Sequence, residues 1–127
     1  LVGSTSYLDV QPAHRHAEIG CTWYAAGARG TAVNPACKLL MLRHAFESLS
    51  PTAIRVQLTT NGTNLHSQTA IAKLGAVREG VLRKARIMPP ALDRTEPAIR
   101  DWVHYSIIDD EWPHVKAGLE ARLRKMP

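Results

Sequence analysis

Cysteine, aromatic side chains and long apolar runs are all scarce in this 127-residue sequence, and each scarcity removes a class of protein. Two cysteines, Cys21 and Cys37, are too few for a disulfide scaffold and lack metal-ligand spacing, so both read as buried thiols. Of the six histidines only His14 and His16 stand close together, and no further Cys or carboxylate cluster completes a set of ligands, so no metal is expected. Three Trp, three Tyr and one Phe do not make the aromatic-studded strands of common RNA-binding sheets. No apolar run approaches the roughly 20 residues that cross a bilayer, and the first residues lack the basic-then-apolar layout of a secretion signal. A soluble cytoplasmic chain without a membrane partner is expected. Familiar nucleotide loops are missing too: neither the three-glycine dinucleotide spacing nor a Gly-Lys-Ser/Thr ending occurs.

What remains is a basic chain with 45% hydrophobic residues and a net charge of +5, enough for a single core over residues 1–127. The charge favours acidic partners, either a diphosphate-containing cofactor or nucleic acid, without separating them. Arg78, Arg83, Lys84 and Arg86 form one basic cluster. Arg122, Arg124 and Lys125 form another, where they complement the dipole of a last helical turn.

The segment Glu18 to Lys38 is the most informative. An apolar strand empties into the small-residue loop Gly27-Ala28-Arg29-Gly30-Thr31-Ala32, and Asn34-Pro35 then opens a helix. Small residues let the main chain approach an anion, and the free N–H groups of a helix start favour negative charge. Asn34 is expected to cap that helix with Pro35 in its first position, and Leu39, Leu42, Phe46 and Leu49 give it an apolar stripe.

Periodicity and turn chemistry predict strands over Val2 to Val10, His16 to Ala25, Ala53 to Thr59, Val77 to Ile87 and Asp101 to Ile108. Helices are predicted over Pro35 to Ser48, Leu65 to Leu74 and Asp110 to Arg124. Met88 to Ala98 reads as an exposed loop. The fold class is α/β (α+β), with a mixed, largely antiparallel sheet flanked by helices in the order β-β-α-β-α-β-β-α.

The loop resembles the Gln/Arg-x-x-Gly-x-Gly/Ala motif of the GNAT N-acetyltransferase superfamily, with Gly30 and Ala32 at its last two fixed positions and Gly27 where Gln or Arg is usual. Asn64-Leu65-His66-Ser67, the helix ending Leu74-Gly75, the strand Glu79-Gly80-Val81-Leu82-Arg83 and Trp112-Pro113 resemble the branch that modifies ribosomal-protein N-termini and similar amines. This resemblance implies acetyl-CoA or coenzyme A as cofactor and an amine acceptor, either a protein N-terminus or a small molecule. Members of that family usually carry two strands and a pair of helices before the point that matches Leu1, and this sequence lacks them. The chain is therefore expected to be a fragment or a short form completed by a partner. Strand edges left bare in this way invite pairing with a second copy.

The resemblance implies the site as well. Main-chain groups of Thr22, Trp23 and Tyr24, where the strand splays from its neighbour, would meet the cofactor, and Arg29, Gly30, Thr31, Ala32, Val33 and Asn34 would cradle its diphosphate. Arg29 and Lys38 are candidate phosphate donors. Glu18 is the leading candidate for the base that takes the amine proton, and His16 shares its face by alternation. Many relatives carry a tyrosine for the departing thiolate where this chain has Ile71, and the ribosomal-protein branch instead has the serine that maps to Ser67. Asn64 or Thr63 would order that helix start. Two other readings stay open: a coenzyme A-binding remnant with little activity, and a basic module that touches RNA or the ribosome.

Overall fold

The alternating and helical patterns build a five-stranded sheet that carries all three helices on one face. The computed structural model describes residues 1–127. In chain order the elements are β1 (Gly3–Gln11), β2 (His16–Tyr24), α1 (Val33–Arg43), β3 (Arg55–Asn61), α2 (Leu65–Ala72), β4 (Val77–Met88), β5 (Ala98–Ile108) and α3 (Trp112–Lys125). The strands lie in the order β1-β2-β3-β5-β4, and only β2 and β3 run parallel. The order β-β-α-β-α-β-β-α and the mixed, largely antiparallel sheet agree with the sequence reading.

Strand alternation divides the sheet into a dry face and a wet one. Ile19, Val56, Leu58, Val103, Tyr105 and Ile107 form one buried cluster with Leu39, Leu42 and Phe46 after β2, Ile71 and Leu74 around α2, and Trp112, Val115 and Leu119 of α3. The opposite face carries His16, Glu18, Arg55, Gln57, Thr59, Trp102 and His104, and no helix packs on it. Trp112 closes the core edge: its ring stacks on Phe46 with centroids 5.3 Å apart, and its Nε1 donates to Glu47 at 3.0 Å.

Several boundaries differ from the periodicity reading. The first helix is α-helical only to Arg43 and finishes as a π-helical turn over His44–Ser48, where Leu49 N donates to His44 O at 3.0 Å. The wider turn leaves both Ala45 and Phe46 buried. The loop expected over Met88 to Ala98 is shorter, because Arg86, Ile87 and Met88 still pair with Arg100, Ile99 and Ala98. The turn chemistry is confined to residues 89–97.

Cys21 corrects the buried-thiol expectation: it is exposed, at φ +50, while Cys37 is half-buried. Its position is a β-bulge. Ser4 pairs with Trp23 but Ser6 with Gly20, so β2 spends one more residue than β1 over this stretch. The extra residue breaks the alternation and turns the Thr22 side chain to the helix face. There Lys38, only 4% exposed, donates from Nζ to Thr5 Oγ1 and Thr22 Oγ1, both at 2.9 Å. Burial lowers this ammonium from the ordinary 10.5 to about 8.

Two outcomes follow from this packing. Leu42→Ala should cost about 2–5 kcal/mol of stability, read from urea midpoints, because the site is fully enclosed. For Lys38, the unfolded chain holds more protons than the folded one between pH 8 and 10.5. Stability of the native sequence relative to Lys38→Met should therefore rise with pH across that window, and a flat difference would show that the ammonium is not desolvated.

Candidate active site

The parallel pair β2–β3 is held over only three registers, His16↔Arg55, Ala17↔Val56 and Glu18↔Gln57. Both strands continue, β2 to Tyr24 and β3 to Asn61, but from Ile19 onward β2 has no partner on β3. β1 and β5 stay paired to their outer sides along this stretch. The sheet therefore forks after Glu18. Helices α1 and α2 follow the two parting strands, so both helix starts lie at the carboxyl ends of the only parallel pair. Open α/β sheets bind ligands at such a place.

Thr22, Trp23 and Tyr24 lie past the fork. Trp23 is exposed, and the Thr22 hydroxyl is 2.8 Å from that of Thr5. The Tyr24 hydroxyl donates to Asn34 Oδ1 at 3.0 Å, and burial, with Cys37 adding to it, pushes its pKa up to about 12. Asn34 therefore does not cap α1, contrary to the sequence reading. The helix begins two residues earlier, at Val33, its cap residue Ala32 offers no polar side chain, and Thr31 Oγ1 accepts from Val33 N at 3.3 Å.

The loop between β2 and α1 is open. A single 3-10 turn over Ala26–Ala28 leads to Gly30, which has φ +70 and no atom within 4 Å of where a Cβ would stand. The N–H groups of Gly30, Thr31 and Ala32 donate to no main-chain acceptor, and the first helical bond runs from Ala36 N to Ala32 O at 3.0 Å. These are unspent donors beside a helix start, the chemistry an anionic diphosphate needs. Arg29 bends back along the loop, its Nε donating to Tyr24 O at 2.9 Å. Lys38, expected at the phosphates, instead has its ammonium on Thr5 and Thr22.

Glu18 stands at the apex of the fork, half-buried, with both oxygens engaged. Thr59 Oγ1 donates to its Oε1 at 2.9 Å and Gln57 Nε2 to its Oε2 at 3.3 Å. His16 shares the open face, its ring 6.0 Å from that of His14. On the other arm of the fork, Asn64 caps α2 by accepting from Ser67 N at 3.0 Å, which puts Ser67 in the first turn.

The sequence reading missed the side chains that surround Glu18. Gln57 also accepts from Arg55 at 2.9 Å, Arg55 pairs with Glu79, and Thr59 accepts from Trp102 Nε1 at 3.0 Å. The alternation of Arg55, Gln57 and Thr59 along β3 was the available signal, since it places all three on the face of Glu18 once β3 is known to neighbour β2.

Neither a protein-family model nor a curated protein matches the chain. Solved structures do. A T. thermophilus protein carrying an acetyltransferase assignment is 46% identical, over 96% of this chain and 60% of its own length, with a TM-score of 0.82. Mycobacterium smegmatis RimJ, solved with CoA-disulfide, is 27% identical over 95% of this chain and 54% of its own, with a TM-score of 0.76. A GCN5-related N-acetyltransferase from Brucella melitensis shares the fold at 23% identity, covering 96% of this chain and 51% of its own length, with a TM-score of 0.83. The chain thus spans about three fifths of the first structure and about half of the other two. Shared sequence and shared fold together place it: the chain belongs to the GNAT superfamily of N-acetyltransferases.

Proposed function

We propose that this chain binds acetyl-CoA at the fork and transfers the acetyl group directly to a primary amine. A protein N-terminus or a small-molecule amine is the acceptor. The observation that carries this reading is the coincidence of the fork with the free amides of Gly30, Thr31 and Ala32 at the carboxyl end of the same strand. Those three amides, with Val33 and Asn34 at the helix start and Arg29 in the loop, would hold the diphosphate. Bound acetyl-CoA would supply the acetyl group as an activated thioester.

The chain's own residues meet the other demands of the reaction. An attacking amine must lose a proton, and Glu18 offers a carboxylate at the fork apex, with His16 two residues away on the same face. The carbonyl oxygen gains charge, and main-chain N–H groups along Thr22 to Tyr24, free on the β3 side, can stabilise it. The departing sulfur requires a donor. Ser67, in the first turn of α2, is placed on the facing arm, while Ile71 has no proton to give. The likeness of Asn64 to Ser67 and of Glu79 to Arg83 to the ribosomal-protein branch supports a peptide amino terminus as acceptor.

A second reading follows from the uncovered sheet face around Glu18. Such a chain would hold coenzyme A but need a further element, from a partner or a second copy, to wall in the amine.

Coenzyme A should raise the melting temperature by mass action, whereas inorganic polyphosphate at matched charge should not. Gly30→Val should abolish most of the shift, because an L side chain is strained at φ +70 and fills the open loop. Equal shifts with both anions would overturn the cradle. Glu18→Gln should lower turnover of an amine by about 10²-fold or more while leaving coenzyme A affinity intact. Ligand stabilisation without thiol release for any amine would favour the holding chain over the enzyme.

A further inference from the structure

Glu18 is not a lone carboxylate on the open face of the sheet. Its Oε1 accepts from Thr59 Oγ1 at 2.9 Å, and the same hydroxyl oxygen accepts from Trp102 Nε1 at 3.0 Å. An indole N–H can only donate, so its bond to Thr59 turns the single hydroxyl proton of Thr59 toward Glu18. The indole is itself held, with the Arg86 guanidinium carbon 4.1 Å from its ring centroid. Thr59 and Trp102 lie on adjacent strands, where Thr59 pairs with His104 and Asn61 with Trp102, so the path runs from β5 through β3 to β2. On the other oxygen, Gln57 Nε2 donates to Oε2 at 3.3 Å while Arg55 occupies the Gln57 carbonyl at 2.9 Å and thereby fixes which end of the amide faces Glu18.

We propose that Thr59 and Trp102 are positioning residues, a relay that fixes the Glu18 carboxylate at the apex of the fork. The proposal rests on Glu18 as the acceptor of the amine proton. A carboxylate offers about four lone-pair sites. Two are taken by donors arriving from β3, which leaves two to receive a proton from an incoming amine. Without the relay the side chain has rotamers to explore, and its distance from the reacting nitrogen is no longer set; a displacement of about 1 Å can cost roughly 100-fold in rate. The directionality begins at Trp102, because its donor has one acceptor and no alternative role. Phenylalanine in its place keeps an aromatic surface for Arg86 but removes the proton that orients Thr59.

The test is a comparison of Thr59→Val, Thr59→Ser, Trp102→Phe and Glu18→Gln in steady-state transfer to an amine, with coenzyme A affinity measured separately. Thr59→Val and Trp102→Phe should lower kcat by roughly 10- to 100-fold at unchanged coenzyme A affinity, and Thr59→Ser should restore most of the loss, since serine keeps the hydroxyl. A kcat for Thr59→Val equal to that of the native sequence, alongside an impaired Glu18→Gln, would overturn the relay and leave the proposed function standing. An unimpaired Glu18→Gln would instead overturn the base assignment on which the relay depends. A second readout does not require turnover: the Trp102 indole N–H resonance, assigned by its disappearance in Trp102→Phe, should move in both Thr59→Val and Glu18→Ala. An indole signal that ignores Glu18→Ala would overturn the relay in an inactive chain as in an active one.

Discussion

Three registers of parallel pairing between β2 and β3 join the two halves of the sheet, and every functional placement depends on where that pairing stops. Longer pairing would satisfy the main chain of β2 out to Tyr24 and close the gap. Shorter pairing would weaken the join of β1 and β2 to the rest of the sheet. The stop has identifiable causes. The bulge at Cys21 and Thr22 adds local twist just past the last paired register, and twist turns β2 away from its neighbour. The buried ammonium of Lys38 then ties the far side of the bulge to α1 through Thr22, so the departing arm is fixed to a helix.

The two faces of the sheet divide stability from chemistry. On the helix face, fully enclosed Leu42, Val56, Ile107 and Leu119 each contribute about 1.5–3 kcal/mol by leaving water. On the open face the cross-strand hydrogen bonds are worth about 0.5–1.5 kcal/mol apiece between neutral groups and about 1.5–3 kcal/mol where a charged group takes part, and they are few, so the polar network there is a minor part of what holds the fold. Its residues are free to serve orientation. The same division explains why a lysine is tolerated inside: Thr5 and Thr22 supply acceptors for a charge that would otherwise be stranded at the helix–sheet boundary.

Readings that depended on a few neighbouring residues survived the structure. Asn64 caps α2 because the Ser67 amide is three residues away, and His16 and Glu18 share a face because strands alternate. Readings that assumed a side chain acts where its sequence neighbours are did not. Asn34 gives its oxygen to Tyr24, ten residues earlier, and Lys38 reaches strands rather than the loop beside it. Cys21 left the core because β2 has one residue too many there, and the isolated Gly20 inside the strand was the only local sign of a bulge.

Periodicity near 3.6 and 2, turn chemistry and the small-residue loop before a helix are local properties, and from them the sequence by itself determined the order of elements, the dry stripe of the first helix and the place of the candidate cradle. The depth of the fork, the burial of Lys38 and the company of Glu18 were decided only in the tertiary structure. The bonds that settle them join Glu18 to Gln57, Glu18 to Thr59, and Thr59 to Trp102, across 39, 41 and 43 residues of chain. Such bonds exist only once strand register is fixed, and register is set by packing among all five strands rather than by any one of them.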